Sequence, residues 1–266
     1  MAKISSSTNP RVKALVRLRS RRERDRSGRF LIEGHRELSR AVEAGQPIEE
    51  VYFAPDLFRE VDESLLLERT EAQGARLFEL TEAPFRKVSY RGRPDGLLAV
   101  APQFQTGLAR LAPGTNPLLL AVEAIEKPGN LGTMLRTADA VGADSVIVCD
   151  PTTDLFNPNV VRASLGALFT VPVAVVTTNE ALSWLRSADV KTYAATPTAE
   201  LAYYDADYSG PSAVVVGSEQ LGLSDDWLAG STARLRIPMS GRIDSLNSAM
   251  AAGILLFEAA RQRAES

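Results

Sequence analysis

Cysteine and histidine are almost missing from this sequence. A single Cys, Cys149, in 266 residues excludes an internal disulfide framework, a Cys-rich zinc site and a cysteine-ligated iron–sulfur cluster. A single His, His35, excludes an HExxH zinc site and leaves a Ser-His-Asp triad only one residue to serve as base. No two glycines stand at i, i+2, so the dinucleotide fingerprint GxGxxG is absent, and there is no GxxxxGK[ST] phosphate loop. No run approaches the roughly 18 apolar residues that a membrane span needs, and a cytoplasmic chain is expected. With Gly at 18 and Pro at 15, neither collagen-like nor low-complexity sequence is present.

Charge is unevenly spread. Residues 1–29 carry ten bases (Lys3, Arg11, Lys13, Arg17, Arg19, Arg21, Arg22, Arg24, Arg26, Arg29) against Glu23 and Asp25, although the whole chain has a net charge of -3. A basic arm on an acidic body suits a polyanionic partner, nucleic acid first, with Arg17, Arg21, Arg22 and Arg24 as the gripping residues. The same run also reads as the solvated face of a first helix, or as an Arg-rich transit peptide. The helical spacing of Val12, Leu15 and Leu18 favours an ordered segment over the transit peptide.

Two regions follow. Residues 29–101 read as a small α/β unit, with strands at 30–32, 48–53, 76–80 and 96–101 and helices at 36–44 and 57–73. Residues 102–117, holding Gly107, Pro113, Gly114 and Pro117, read as a linker. From 118 to 266, apolar runs at 118–125, 145–150, 172–178, 192–197, 213–218 and 234–239 alternate with helical patterns at 131–141, 158–168, 179–187 and 245–263. That alternation predicts a parallel sheet covered on both faces, which binds its ligand at the carboxyl ends of its strands.

Three strand-end motifs stand out. In EKPGNLGTMLRTADA (126–140), Asn130 is placed to cap a helix with Leu131, Met134, Leu135, Ala138 and Val141 on its buried face, and Arg136 lies off that stripe. Asn130 alone reads equally as a plain cap, and Arg136 as an ion pair with Asp139. In VVVGSEQLGL (214–223), Gly217 ends a strand where backbone must turn sharply or be closely approached, and Glu219 follows in the loop. In IPMSGRIDSLNSAMAAGILLFE (237–258), a polar loop leads through Ser245 and Asn247 into a helix whose Ala249, Ala251, Ala252 and Gly253 allow close packing.

Taken in order, PGNxGxxxRTAxAxGA, VxGSExxGL and IPM…SLN…AxxxGIxLxE resemble the three signature motifs of the SpoU-type (TrmH-like) RNA ribose 2′-O-methyltransferases. The likeness spans about 118–262. It extends more loosely to NPRVKALVRLRSRRERDRSGRFLIEG, which looks like the arm and L30e-like substrate-binding domain of the rRNA-modifying branch.

The resemblance implies an α/β catalytic domain over 118–266 with a C-terminal trefoil knot (SPOUT-type), preceded by an RNA substrate-binding domain over 1–101. It implies S-adenosylmethionine (SAM) as cofactor, held by Thr196, Pro197, Gly217, Ile237 and Leu246, and a catalytic set of Asn130, Arg136, Glu219, Ser245 and Asn247. Arg162 matches a family arginine expected to contact RNA. Because a guanidinium is locked in its charged form, Arg136 is better suited to bind phosphate and stabilise a developing alkoxide than to act as a simple base. The implied activity is 2′-O-methylation of 23S rRNA by a metal-free homodimer, with antibiotic resistance as one branch. The alternatives are a tRNA 2′-O-methyltransferase and a non-catalytic RNA-binding or ribosome-assembly protein on the same fold. The sequence after SLN, SAMAAG, departs from the Val-Ser-Val of many relatives, and a difference in helix packing is expected there.

Overall fold

The computed structural model describes residues 3–59 and 62–265 and separates into two compact units. The first comprises the chain up to Phe104 together with Asp154–Thr170; the second comprises Gln105–Thr153 and Val171 onward.

The basic segment folds as two short helices, α1 (Pro10–Arg17) and α2 (Arg21–Ser27). Each is capped as its sequence dictates: the Asn9 side chain accepts from Arg11 N and the Ser20 side chain from Glu23 N. Val12, Leu15 and Leu18 are buried in one cluster with Phe85 and Val88, so this segment is a packed layer and not a free arm. There follow β1 (Arg29–Glu33), α3 (His35–Glu43), β2 (Glu50–Phe53), α4 (Glu63–Ala72), β3 (Arg76–Glu79), α5 (Glu82–Val88) and β4 (Leu97–Pro102). The sheet order is β1-β4-β2-β3, with β2 and β3 parallel and β4 antiparallel to both of its neighbours. The helix expected over 57–73 begins only at Glu63, after a separate 3-10 turn at Pro55–Leu57; residues 60 and 61 of that expectation lie outside the described residues.

The second unit opens with β5 (Leu118–Glu123), α6 (Pro128–Val141) and β6 (Ser145–Cys149). The chain then supplies α7 (Pro158–Ser164) and α8 (Ala167–Thr170) to the first unit. One helix was expected over 158–168; it is broken where Leu165 (φ 51) and Gly166 (φ 92) turn left-handed. The remaining elements are β7 (Val173–Val176), α9 (Thr178–Ser187), β8 (Lys191–Ala195), β9 (Leu201–Ala202), β10 (Ser212–Val216), α10 (Asp225–Gly230), β11 (Ala233–Arg236) and α11 (Ser248–Glu265).

These strands form one parallel sheet in the order β7-β6-β5-β10-β8-β11-β9. β5, β6 and β10 are buried along their whole length, as strands covered on both faces must be. On one face Leu119, Ala121, Ile147, Cys149, Ala213 and Val215 meet Ala181, Leu182 and Leu185 of α9 and Trp227 of α10. On the other, α6 and α11 pack on each other and on β5, β6 and β10. Arg263 ties the end of α11 down by donating to the carbonyls of Asn116, Pro117, Tyr208 and Gly210. The supposed linker 102–117 is partly integrated: Leu111 is buried in the second unit's core, and Val175 N donates to Thr106 O (2.6 Å). Among the described residues no helix is long and apolar enough to cross a membrane.

Candidate active site

Strand order reverses between β5, whose next partners are β6 and β7, and β10, which lies on its other side; open α/β sheets bind ligands at such a switch point. The loops leaving the carboxyl ends of β8, β10 and β11, with the segment leading into α11, enclose a cavity of about 440 Å³. Thr196, Pro197, Gly217, Ile237 and Leu246, the five residues expected to hold a cofactor, all line it. Strands were expected over 192–197 and 234–239, but β8 stops at Ala195 and β11 at Arg236. Thr196, Pro197 and Ile237 are therefore loop residues; Thr196 N donates to Leu235 O, and Thr196 O accepts from Ala199 N.

Gly217 is dictated by its own loop. A Cβ there would lie 2.1 Å from the carbonyl oxygen of Gly222, because the turn folds back until Ser218 and Gly222 exchange main-chain hydrogen bonds, each 3.1 Å. The close approach anticipated for this glycine thus comes from the turn itself. That fold-back projects Glu219 from the loop, half-exposed at the cavity wall.

Glu219 is the centre of a polar cluster. Its Oε1 accepts from Asn130 Nδ2 (3.0 Å) and from Asn247 Nδ2, and its Oε2 from Lys127 Nζ. Asn247 Nδ2 also reaches Asn130 Oδ1 (3.2 Å), and Asn130 Nδ2 lies 3.2 Å from Ser248 Oγ. The Lys127 ammonium, and after it the Asn130 amide, hold the Glu219 carboxyl below the usual carboxylate range. With three donors on two oxygens, this carboxylate organises its neighbours and is a poor proton acceptor.

Local helix chemistry explains the convergence. Pro128 occupies the first helical position of α6, which makes Lys127 the N-cap; the expectation that Asn130 caps the helix is corrected. Asn130 sits a turn inside, its side chain directed to Glu219. Asn247 is the true cap of its own helix, its Oδ1 accepting from Ala249 N (3.0 Å) and Met250 N (3.2 Å). Its Nδ2 is left for the cluster.

The remaining expected residues are more scattered. Ser245 is exposed and lines the cavity, while the serine in the cluster is Ser248, which the sequence reading had not singled out. Lys127 was also missed, though a base directly before Pro-Gly-Asn was its visible signal. Arg136 is exposed on α6, roughly 9 Å along the helix axis from Asn130, given about 1.5 Å per residue. Glu123, buried at the end of β5, stands apart from this cluster and accepts from Ser224 N (2.7 Å), Ser224 Oγ (2.6 Å) and Thr178 Oγ1 (2.9 Å).

In the first unit Arg17, Arg21, Arg22 and Arg162 are exposed. Arg24 is not, and its expected nucleic-acid contact is corrected. It is 1% exposed, donates Nε and Nη2 to Asp154 (2.8 and 2.5 Å) and Nη1 to the carbonyls of Leu18 and Arg19.

Fold and site together define an α/β enzyme unit with a small-molecule cavity at the switch point of its sheet. Residues 117–257 match the SpoU rRNA Methylase family, and residues 9–99 match the MRM3-like substrate binding domain. The chain is 32% identical to the 23S rRNA (guanosine(2553)-2′-O)-methyltransferase RlmP of Bacillus subtilis, over 97% of this chain and 98% of that one. The AdoMet-bound rRNA methyltransferase from Sinorhizobium meliloti superposes with a TM-score of 0.90 at 33% identity, covering 98% and 97% of the two chains. A protein solved for 2-OH methylation of C/U34 on tRNA is covered in full but matches 57% of this chain (30% identity, TM-score 0.53). This chain belongs to the SpoU rRNA Methylase family.

Proposed function

We propose that this protein transfers a methyl group from S-adenosylmethionine to the 2′-OH of one ribose in ribosomal RNA, with 23S rRNA as its target. What carries the reading is the junction of Asn130, Glu219 and Asn247, drawn from three distant motifs, beside a cavity lined by Thr196, Pro197, Gly217, Ile237 and Leu246. Its 440 Å³ falls within the usual range of about 300–1,000 Å³ for small-molecule sites. The lining suits the cofactor chemically. Val216, Leu223, Ile237, Met239 and Leu246 offer apolar surface to an adenine, and Glu219 and Asp244 offer negative charge to a cation.

Bound SAM supplies a methyl group made electrophilic by its sulfonium. The protein's part is orientation and charge. Glu219 stays ionised and fixes the Asn130 and Asn247 amides, so that their dipoles are pre-set for the ribose. Arg136, permanently charged, binds a phosphate of the substrate and stabilises the alkoxide that develops as the 2′-OH loses its proton to water and takes the methyl group, whose bond to sulfur breaks to leave a neutral thioether. Arg17, Arg21, Arg22 and Arg162 grip RNA phosphates. A cytoplasmic homodimer completes the proposal: Met250 and Phe257, seven residues apart on α11, are 60% and 56% exposed and suit a second copy. A C-terminal trefoil knot, implied by the family resemblance, belongs to the same proposal. If the methylated nucleotide lies in a drug site, expression will raise resistance to that drug.

The match to a substrate-binding domain over 9–99 disfavours the tRNA alternative, since the tRNA-modifying relative is covered without needing that part of the chain. The test is methyl transfer from labelled SAM to separated 23S, 16S and tRNA fractions, with primer extension across the product. A single stop in 23S rRNA is expected. Label in tRNA alone would move the protein to the tRNA enzymes. No label in any fraction, or in intact subunits, with SAM binding demonstrated, would make it a binding module.

A further inference from the structure

Lys127 holds a position that neither the three motifs nor the proposed catalytic set assigns. As the N-cap of α6 its backbone is still extended (φ -87, ψ 117), and its side chain leaves the chain before the helix begins. Nζ bonds Glu219 Oε2, the oxygen that neither Asn130 nor Asn247 occupies. The lysine side chain is 64% exposed and that of Glu219 22%, so the ammonium is the solvent-facing part of the cluster. An ion pair so exposed contributes little, and the lysine can leave its carboxylate for a better-placed anion at small cost. The first turn of α6 carries no acidic residue, and its main-chain N–H groups add to the attraction for negative charge.

We propose that Lys127 is a positioning residue for the RNA, exchanging Glu219 Oε2 for a backbone phosphate of the substrate while Oε1 keeps its hold on Asn130 and Asn247. This rests on the proposed methyl transfer to RNA. Arg136 addresses a different phosphate. It lies nine residues on, half a turn out of phase and roughly 13 Å further along the helix axis.

The experiment compares wild type, Lys127→Met, Lys127→Arg and Glu219→Gln. SAM affinity is measured by calorimetry, and kcat and KM for rRNA are followed from 50 to 300 mM KCl. For Lys127→Met a roughly tenfold rise in RNA KM is expected, with SAM affinity unchanged and kcat retained at saturating RNA. The plot of log KM against log salt should lose about 0.7 of its slope, the share of one phosphate contact. Lys127→Arg should restore both. A Lys127→Met variant that instead loses kcat with an unaltered salt slope, as a disturbed Glu219 would produce, overturns the proposal; so does one indistinguishable from wild type. Wild type that methylates no RNA would refute the methyl-transfer reading, and the salt slopes of RNA binding by wild type and Lys127→Met would still decide the role of Lys127.

Discussion

Asn130 and Glu219, 89 residues apart, are joined by a 3.0 Å hydrogen bond from the amide Nδ2 to Oε1. The bond links the first turn of α6, the helix that follows β5, to the loop after β10, and these neighbouring strands open their carboxyl ends on the same side because they are parallel. A carboxylate there needs donors, and an amide needs something to fix which way it faces. Each meets the other's requirement.

Replacing Glu219 by Gln puts an NH₂ group where three donors converge. Methyl transfer should fall by about 10²-fold, the order found when one oriented polar group is lost from an active site, while the unfolding midpoint stays near wild type. The lowered carboxyl pKa sets the pH behaviour. The Glu219 charge is complete above the ordinary carboxylate range and is lost only as pH falls through the lowered folded value. The ratio of wild-type to Glu219→Gln rates should therefore stay constant between pH 5.5 and 8, and a ratio that climbs across this window would contradict the assignment.

Gly217→Ala forces a methyl group into the Gly222 carbonyl, a main-chain neighbour that cannot swing aside. SAM affinity should drop by more than tenfold and the thermal midpoint should fall. Calorimetry and a melting curve on the same sample check both. Gly253→Ala is the control, because its Cβ would meet only Thr137 Cγ2 at 3.8 Å and should be tolerated.

Arginines of the basic segment should separate into two kinds. Arg24→Ala strands Asp154 in a nearly closed environment and is expected to cost about 3–5 kcal/mol in denaturant unfolding, the range for breaking a buried pair. Arg21→Gln and Arg22→Gln should leave stability unchanged, weaken RNA binding and reduce its salt dependence. If Arg21→Gln and Arg22→Gln leave both the affinity and its salt slope unchanged, α2 is not an RNA surface.

Burial pushes the Glu33 carboxyl above its ordinary range, opposed by the Ser89 hydroxyl and the Tyr90 N–H that it accepts. Below the unfolded pKa the group is protonated in both states and costs nothing. As pH rises toward and through the raised folded value, the unfolded chain ionises more readily and stability is lost. Gln can keep both contacts, accepting from Tyr90 N and donating to Ser89 Oγ. Urea unfolding should show Glu33→Gln gaining on wild type from pH 4 to 7, whereas a difference that does not change with pH refutes the raised pKa.

Met250→Lys with Phe257→Lys places two charges on the exposed stripe of α11. If a second copy covers that stripe, the double variant should run as a monomer in light scattering at concentrations where wild type is a dimer. A wild-type monomer would remove the dimer from the proposal.

The parallel sheet was legible because β5, β6 and β10 are buried on both faces and so are written as unbroken apolar runs, LLLAVE, SVIVC and SAVVV. Asn130, Glu219 and Asn247 were marked by the resemblance of three ordered motifs to the family's signatures; turn chemistry alone gave only strand ends. Other features had no local signal. Arg24 and Arg22 stand two residues apart in the same basic run, and only the packing of Asp154 against α2 makes one a buried anchor and leaves the other in solvent. Residues 154–170 carry an ordinary amphipathic pattern that does not say which core they join; Phe156 and Phe169 stacking near Phe30 decides it. Pro128 moved the cap of α6 to Lys127, and the partner that fixes this lysine lies 92 residues away. Periodicity and turn chemistry act over a few residues, so the sequence by itself determined the elements and the strand ends where a site could form. Which side chains meet there depends on strand order in the sheet, and that was decided only by the tertiary structure.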